Sequence, residues 1–423
     1  MKSLYGYLRT VYWSMPKGLK DVVRDPARNI ALRLGGVRVM ADPQRDVSPG
    51  PTDLSLDQFR KNVLAHAQHF RGVFVQNVMI GWAADLFQRP QHLAIAMAKR
   101  GYLVIYQTVR WTKDAVSGFR QVYPGVWVTD HDVAAEIPGA VVTTCSTDFL
   151  DRDLLGHLDR KSCRVVYEYI DHIDPKISGS SSQVAVLLRR KEKAFSGGAD
   201  VIVATASALY DEAVGAVGRE HVILAPNGVN AAHYRRPFAN ESVSCEFEDF
   251  RRKHRAIVGY FGALAPWLWY DEINRLTAER PDLGFVFIGP DYHGGRDHLQ
   301  IRPNVLCTGP VDYQLLPAYG RQFDVCLIPF EPGEIAHTTS PLKLFEYFAL
   351  EKPVVATSAM TECVRFPEVY AGSDAEDLSR QIDRALQVKD EPSFRARLAE
   401  LADENDWNQR AGAYEQIFTG MAD

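Results

Sequence analysis

The chain has 423 residues, 46% of them hydrophobic and 24% charged, with a net charge of −5. That composition excludes a largely disordered chain and leaves room for two or three separately cored domains. The mild acidity argues against a dedicated nucleic-acid binder. The six cysteines are scattered without a CxxC, which fits neither a disulfide framework nor a zinc site.

Residues 1–38 carry eight Lys or Arg against two Asp, and Leu4, Tyr7, Leu8, Val11 and Tyr12 share a helical face. Such an arm either rests on anionic lipid at the inner face of the plasma membrane or packs on protein. It lacks the unbroken apolar core of a signal peptide, and no apolar stretch in the chain approaches the roughly 20 residues that span a bilayer, so the expected location is the cytoplasm. Residues 41–55, rich in Pro, Asp and Ser, read as a linker, and a short amphipathic helix is expected over residues 56–70. Residues 1–70 are thus assigned to a basic extension and linker.

From residue 72 short β-branched runs alternate with helical patterns: 73–80, 103–106, 140–144, 164–169, 200–205 and 221–225. A polar stretch, Asn240 to Lys253, interrupts them. The alternation resumes at 256–264, 283–290, 304–309, 323–330 and 352–358, and the segment from Ser393 to Met421 reads as helical. This texture predicts an α/β protein with two parallel sheets, each covered by helices on both faces. The expected divisions are 71–240, 241–404 and a C-terminal helix, 405–423, crossing back to the first domain. Ligands of open α/β sheets sit at the carboxyl ends of the strands, so the cleft between two such sheets is the expected site.

In the second half, Gly259 and Gly262 end the first strand and let backbone N–H groups approach a phosphate, although the full GxGxxG pattern is absent. Trp267 follows and either lines the cleft or packs. Asp291 sits at the next strand end. The loop Gly309 to Tyr313, with Val311 and Tyr313, either holds a nucleobase through main-chain bonds or is an ordinary connection. In SPLKLFEYFALEKPVVAT, Ser340 is the expected N-cap, Pro341 the first helical residue and Leu342 the second, with the helix running through Leu350. Lys343 and Glu346 share a face near the helix's positive end. They read either as a surface pair or as a counter-charge for a diphosphate beside an acceptor for ribose hydroxyls. In the first half, Arg89 and His92 begin a helix and are candidate acceptor contacts, with capping and packing as the alternative. YEYIDHID sets Asp171 and His172 at a strand end, where a carboxylate can take or orient a hydroxyl proton; with Asp174 the same cluster reads alternatively as metal ligands.

SPLKLFEYFALEKPVVAT resembles the donor-site signature of GT-B glycosyltransferases, especially the family 4-like enzymes of bacterial surface-polysaccharide synthesis. DLFQRPQHLAIAMAKRGYLVIY, YEYIDHID, GGADVIVATASALYDEA, APNGVN and NVLCTGPVDYQLLPAYGRQFDVCLIPF are similar to blocks of the same group, in the same order. The resemblance covers about residues 72–370. It implies two Rossmann-like domains facing a cleft and hexosyl transfer, with retention, from a UDP- or GDP-linked sugar to a glycan or lipid-linked acceptor, without metal or cofactor. By it, Lys343 contacts the diphosphate and Glu346 the ribose. Two departures stand out. Thr338 occupies the position of a first glutamate that touches the donor sugar in many retaining relatives, leaving Glu334 as the neighbouring catalytic candidate. The residues after Gly262, Ala265 to Trp269, lack the basic pair found in many relatives. A nucleotide-sugar epimerase or hydrolase, or a non-catalytic scaffold of the same fold, are the competing readings.

Overall fold

The computed structural model describes residues 53–84, 86–108, 114–134, 137–147, 162–237 and 243–420; the basic segment 1–38 and the linker up to residue 52 lie outside them. Eight strands build the first sheet: β1 (Val73–Asn77), β2 (Leu103–Gln107), β3 (Phe119–Tyr123), β4 (Val126–Thr129), β5 (Val141–Cys145), β6 (Arg164–Tyr169), β7 (Val201–Ala204) and β8 (Val222–Leu224). Their order is β3-β4-β2-β1-β5-β6-β7-β8. Every pairing is parallel except the β3–β4 hairpin. Six further strands, β9 (Ala256–Phe261), β10 (Leu283–Ile288), β11 (Val305–Gly309), β12 (Val325–Ile328), β13 (Val354–Thr357) and β14 (Val369–Gly372), form an all-parallel sheet in the order β11-β10-β9-β12-β13-β14. The central strands are buried along their whole length, as continuous apolar runs require when helices cover both faces.

In each sheet the strand order reverses once, between β1 and β5 and between β9 and β12. Five helices matter for the site: α1 (Arg89–Lys99), α2 (Ser207–Val217), α3 (Leu342–Ala349), α4 (Pro392–Glu404) and α5 (Trp407–Thr419). The helical segment from Ser393 consists of two helices, α4 and α5, parted at Asn405 and Asp406, where the Asp406 carboxylate caps α5 by accepting from the Asn408 N–H (2.8 Å). Beyond the break, Trp407, Ala411, Tyr414 and Ile417 join the first sheet's core beside Leu93 and Met97 of α1. The chain leaves the first sheet near Val229 and returns near Trp407, and these two crossings are hydrogen-bonded to each other. Val229 N–H donates to Asn405 O (3.0 Å) and Trp407 N–H to Val229 O (3.0 Å).

Three boundaries differ from the sequence reading. Phe59, from the segment expected to precede the first domain, is fully buried and stacked on Phe119 at 3.9 Å, so residues from Leu54 onward belong to the first core. Ala231, Tyr234 and Phe247 lie in the second core, which therefore begins before residue 241. Ser340 does not cap α3: Pro341 is the N-cap and Leu342 the first helical residue, because the Ser340 hydroxyl accepts from the Asn227 N–H (3.2 Å).

Candidate functional site

At the second sheet's reversal, the chain leaves β9 through Gly262 at φ +139, where an added Cβ would meet Lys343 Cε at 2.9 Å. The Lys343 ammonium lies 5.2 Å from the Phe330 ring centre and 5.4 Å from that of Tyr260. Among the described residues no carboxylate lies within ion-pair distance of it; its ammonium faces the two aromatic rings at the positive, N-terminal end of α3, so positive charge there is left without a counter-ion. Burial lowers its pKa, opposed by Glu346, Cys363 and Asp171. One turn along, Glu346 is buried, which pushes its carboxyl up to about 7; the Tyr234 hydroxyl and Lys343 act against that shift. The Tyr234 hydroxyl leans toward Glu346 without meeting strict hydrogen-bond geometry, and the buried Tyr313 hydroxyl is also unpartnered.

Asp171 approaches from the carboxyl end of β6. Burial pushes its carboxyl up to about 6, opposed by Arg89 and then Lys343. Its loop is pinned by the Ser146 hydroxyl, which accepts from the Ile170 N–H (3.0 Å) and the Asp171 N–H (3.4 Å). Candidate groups from the two sheets thus lie within electrostatic reach of one another. His172 is half-buried and acts on Glu212. Asp174 caps the next short helix by accepting from the Lys176 N–H (2.7 Å). Among the described residues, no three His, Cys, Asp or Glu side chains gather to hold a metal.

The other candidates are distributed as follows. Arg89 is buried and engaged throughout. It donates to Glu168 Oε1 (3.3 Å), to the carbonyls of Ala225 (3.0 Å) and Pro226 (3.3 Å), to Asn227 Oδ1 (3.3 Å) and to the Tyr414 hydroxyl (2.8 Å). His92 is buried, stacked on Trp407 at 5.2 Å with Nε2 unpartnered, and burial pushes its pKa down to about 3. The Tyr313 ring, at the end of the loop expected to hold a base, stacks on both His233 (4.2 Å) and Phe87 (4.8 Å). Val311 is half-buried against the second core. Asp291 accepts from the Arg296 N–H (3.1 Å), closing a surface turn. The Trp267 ring lies 6.5 Å from that of Phe330, tilted against it, and is partly buried on the second core. Glu334 is exposed, and the buried Thr338 turns its hydroxyl onto Glu334 O (2.6 Å). Pro341 is buried, and Leu342 packs on the first sheet's core.

Three contributors escape sequence reasoning. Tyr234 reaches Glu346 from the helix Ala231–Arg235, and no spacing connects the two. Glu362, after β13, accepts from the Ser207 N–H at the start of α2 (2.6 Å), and Lys176 pairs with Glu331 (2.6 Å); both contacts join the two sheets' domains.

Two facing α/β units with a C-terminal helix returning to the first define the GT-B glycosyltransferase fold, and this chain has it. Within that class, residues 255–388 match the family model described as glycosyl transferases group 1. The putative teichuronic acid biosynthesis glycosyltransferase TuaH of Bacillus subtilis is 28% identical over 258 residues, 58% of this chain and 64% of that relative. The trehalose-6-phosphate protein of E. coli bound with UDP-2-fluoro glucose superposes with a TM-score of 0.60 at 11% identity, over 83% of this chain and 99% of its own. Anabaena HepE in complex with UDP and glucose gives 0.58 at 14% identity, over 83% of this chain and 100% of its own. Among the described residues no helix is long and apolar enough to cross a membrane.

Proposed function

We propose that the chain is a glycosyltransferase. It takes a hexosyl group from a UDP- or GDP-linked donor and passes it to a glycan or lipid-linked acceptor in cell-surface polysaccharide synthesis. The observation that carries this is that Asp171 from the first sheet lies within electrostatic reach of Lys343 from the second, which itself sits one turn from the buried Glu346 and against Gly262 at the end of β9, beside the second sheet's topological reversal. In this reading Lys343 and the end of α3 balance the diphosphate, Glu346 accepts from the ribose hydroxyls, and Trp267 flanks the sugar. With retention, the acceptor oxygen bonds to the anomeric carbon as the carbon–phosphate oxygen bond breaks. The departing phosphate oxygen takes the hydroxyl proton while Asp171 orients that hydroxyl. No metal takes part, and the arm 1–38 holds the protein at the cytoplasmic face of the membrane. TuaH, by its name, supports the polysaccharide context.

Calorimetric titration with UDP, GDP and their sugars tests the reading, followed by a product assay with and without acceptor. Failure of every nucleoside diphosphate to bind would overturn it. Thr338, whose hydroxyl is spent on Glu334 O, favours one second reading, a nucleotide-binding scaffold without transfer. That reading holds if UDP binds but no acceptor or water receives the sugar.

A further inference from the structure

The turn Asn227–Gly228–Val229 lies where the chain first crosses between the domains, and Asn227 has every polar group in use. Its Nδ2 donates to Ser340 O (2.6 Å) and its N–H to Ser340 Oγ (3.2 Å). Its Oδ1 accepts from Arg89 (3.3 Å) and its carbonyl from Arg410 Nε of α5 (3.2 Å). Arg89 is itself fixed by Glu168 and Tyr414. Gly228 is held against the return crossing so closely that a Cβ there would lie 2.6 Å from Asn405 O. Ser340 is the residue immediately before the N-cap of α3, and three residues later comes Lys343. The start of α3, with the free N–H groups of a helix N-terminus, is therefore fastened to the first domain while Leu344 and Phe345 pack in its own core.

We propose that Asn227 is a positioning residue for the donor site. Through Ser340 it fixes the N-terminal end of α3 against the first domain, so that Lys343 and Glu346 meet the diphosphate and ribose at a place set by both domains. The fastening sits beside the paired crossings, where the backbones of Val229, Asn405 and Trp407 are bonded to one another.

This inference rests on the nucleotide-sugar reading, and the experiment separates the two. UDP and GDP are titrated into the wild-type protein, N227A and the isosteric N227D, which keeps the shape but has no side-chain N–H for Ser340 O. Backbone hydrogen exchange of 340–346 is followed without ligand. Expected results are exchange at least tenfold faster in that segment for both variants and UDP or GDP affinity about tenfold weaker. The KM for donor should rise more than kcat falls. If N227A fails to fold, N227D and S340A carry the test. Unchanged exchange and affinity in N227D would overturn the proposal. Failure of the wild type to bind either nucleotide would overturn the functional reading, while faster exchange in the variants would still support the fastening.

Discussion

The two domains share a topology but use their strand ends differently. In the first, Arg89 spends its donors on Glu168, Tyr414, Asn227 and two carbonyls, and both it and Glu168 are nearly inaccessible to solvent. In the second, Lys343 has ring faces and, among the described residues, no ion-pair partner, and the neighbouring Glu346 is shifted up to about 7. A cation whose geometry is already complete holds structure together. A cation left with unspent charge beside an ionisable carboxylate is available to a ligand. A basic side chain at a helix start thus serves cohesion in the first domain, and on the proposed reading serves binding in the second.

Substitutions break or sharpen this contrast. The largest effect is expected for Arg89→Ala, which strands the Glu168 carboxylate in the interior. Urea unfolding should show a loss of about 3–5 kcal/mol, typical of a broken buried pair. Lys343→Ala should do the opposite: Tm stays within a degree or two of wild type, while kcat/KM for the nucleotide-sugar donor drops about 10²–10³-fold. If Lys343→Ala unfolds the protein, or Arg89→Ala leaves stability untouched, the contrast is wrong.

His92 sharpens it through pH. Burial holds its imidazole neutral in the fold, with a pKa pushed down from 6.5 to about 3, whereas the unfolded chain takes up a proton below 6.5. Stability from this group is therefore complete above pH 6.5 and is lost as pH falls toward 3, by about 1.4 kcal/mol per unit. His92→Phe should flatten the stability–pH curve between 6.5 and 4 by that slope. The residual slope sums His233, whose pKa burial pushes down to about 4, with Asp171 and Glu346, whose carboxyls burial pushes up to about 6 and about 7 and which act in the opposite direction. The smallest effect is expected at the exposed Lys176–Glu331 pair. Lys176→Ala should change stability by less than about 1 kcal/mol, and any rise in donor KM should vanish at high salt.

Much of the fold is legible in the chain because buried parallel strands are written as unbroken apolar runs; β6 and β10 match theirs almost residue for residue. The β3–β4 hairpin is not, since Arg120 and Gln121 interrupt its edge strand, and β14 is too short and mixed to stand out. At the site, Lys343 and Glu346 are legible as a helical pair whose resemblance supplies a ligand. The engagement of Arg89, Ser340 and Tyr313 is not, because their partners lie far away in sequence: Tyr414 is 325 residues from Arg89 and Asn227 is 113 from Ser340. Periodicity reports which face of an element is buried, and it carries no information about which distant polar group will be waiting there.

The return of α5 to the first sheet has a consequence for the order of synthesis. The first domain is interrupted by the whole of the second, and its apolar core lacks Trp407, Ala411, Tyr414 and Ile417 until α5 leaves the ribosome. A nascent chain at residue 300 therefore holds Arg89 and Glu168 without the tyrosine hydroxyl that joins them, and with the α1 side of the sheet uncovered. The domain made first is the domain completed last, so the second is able to close its own core before the first is sealed.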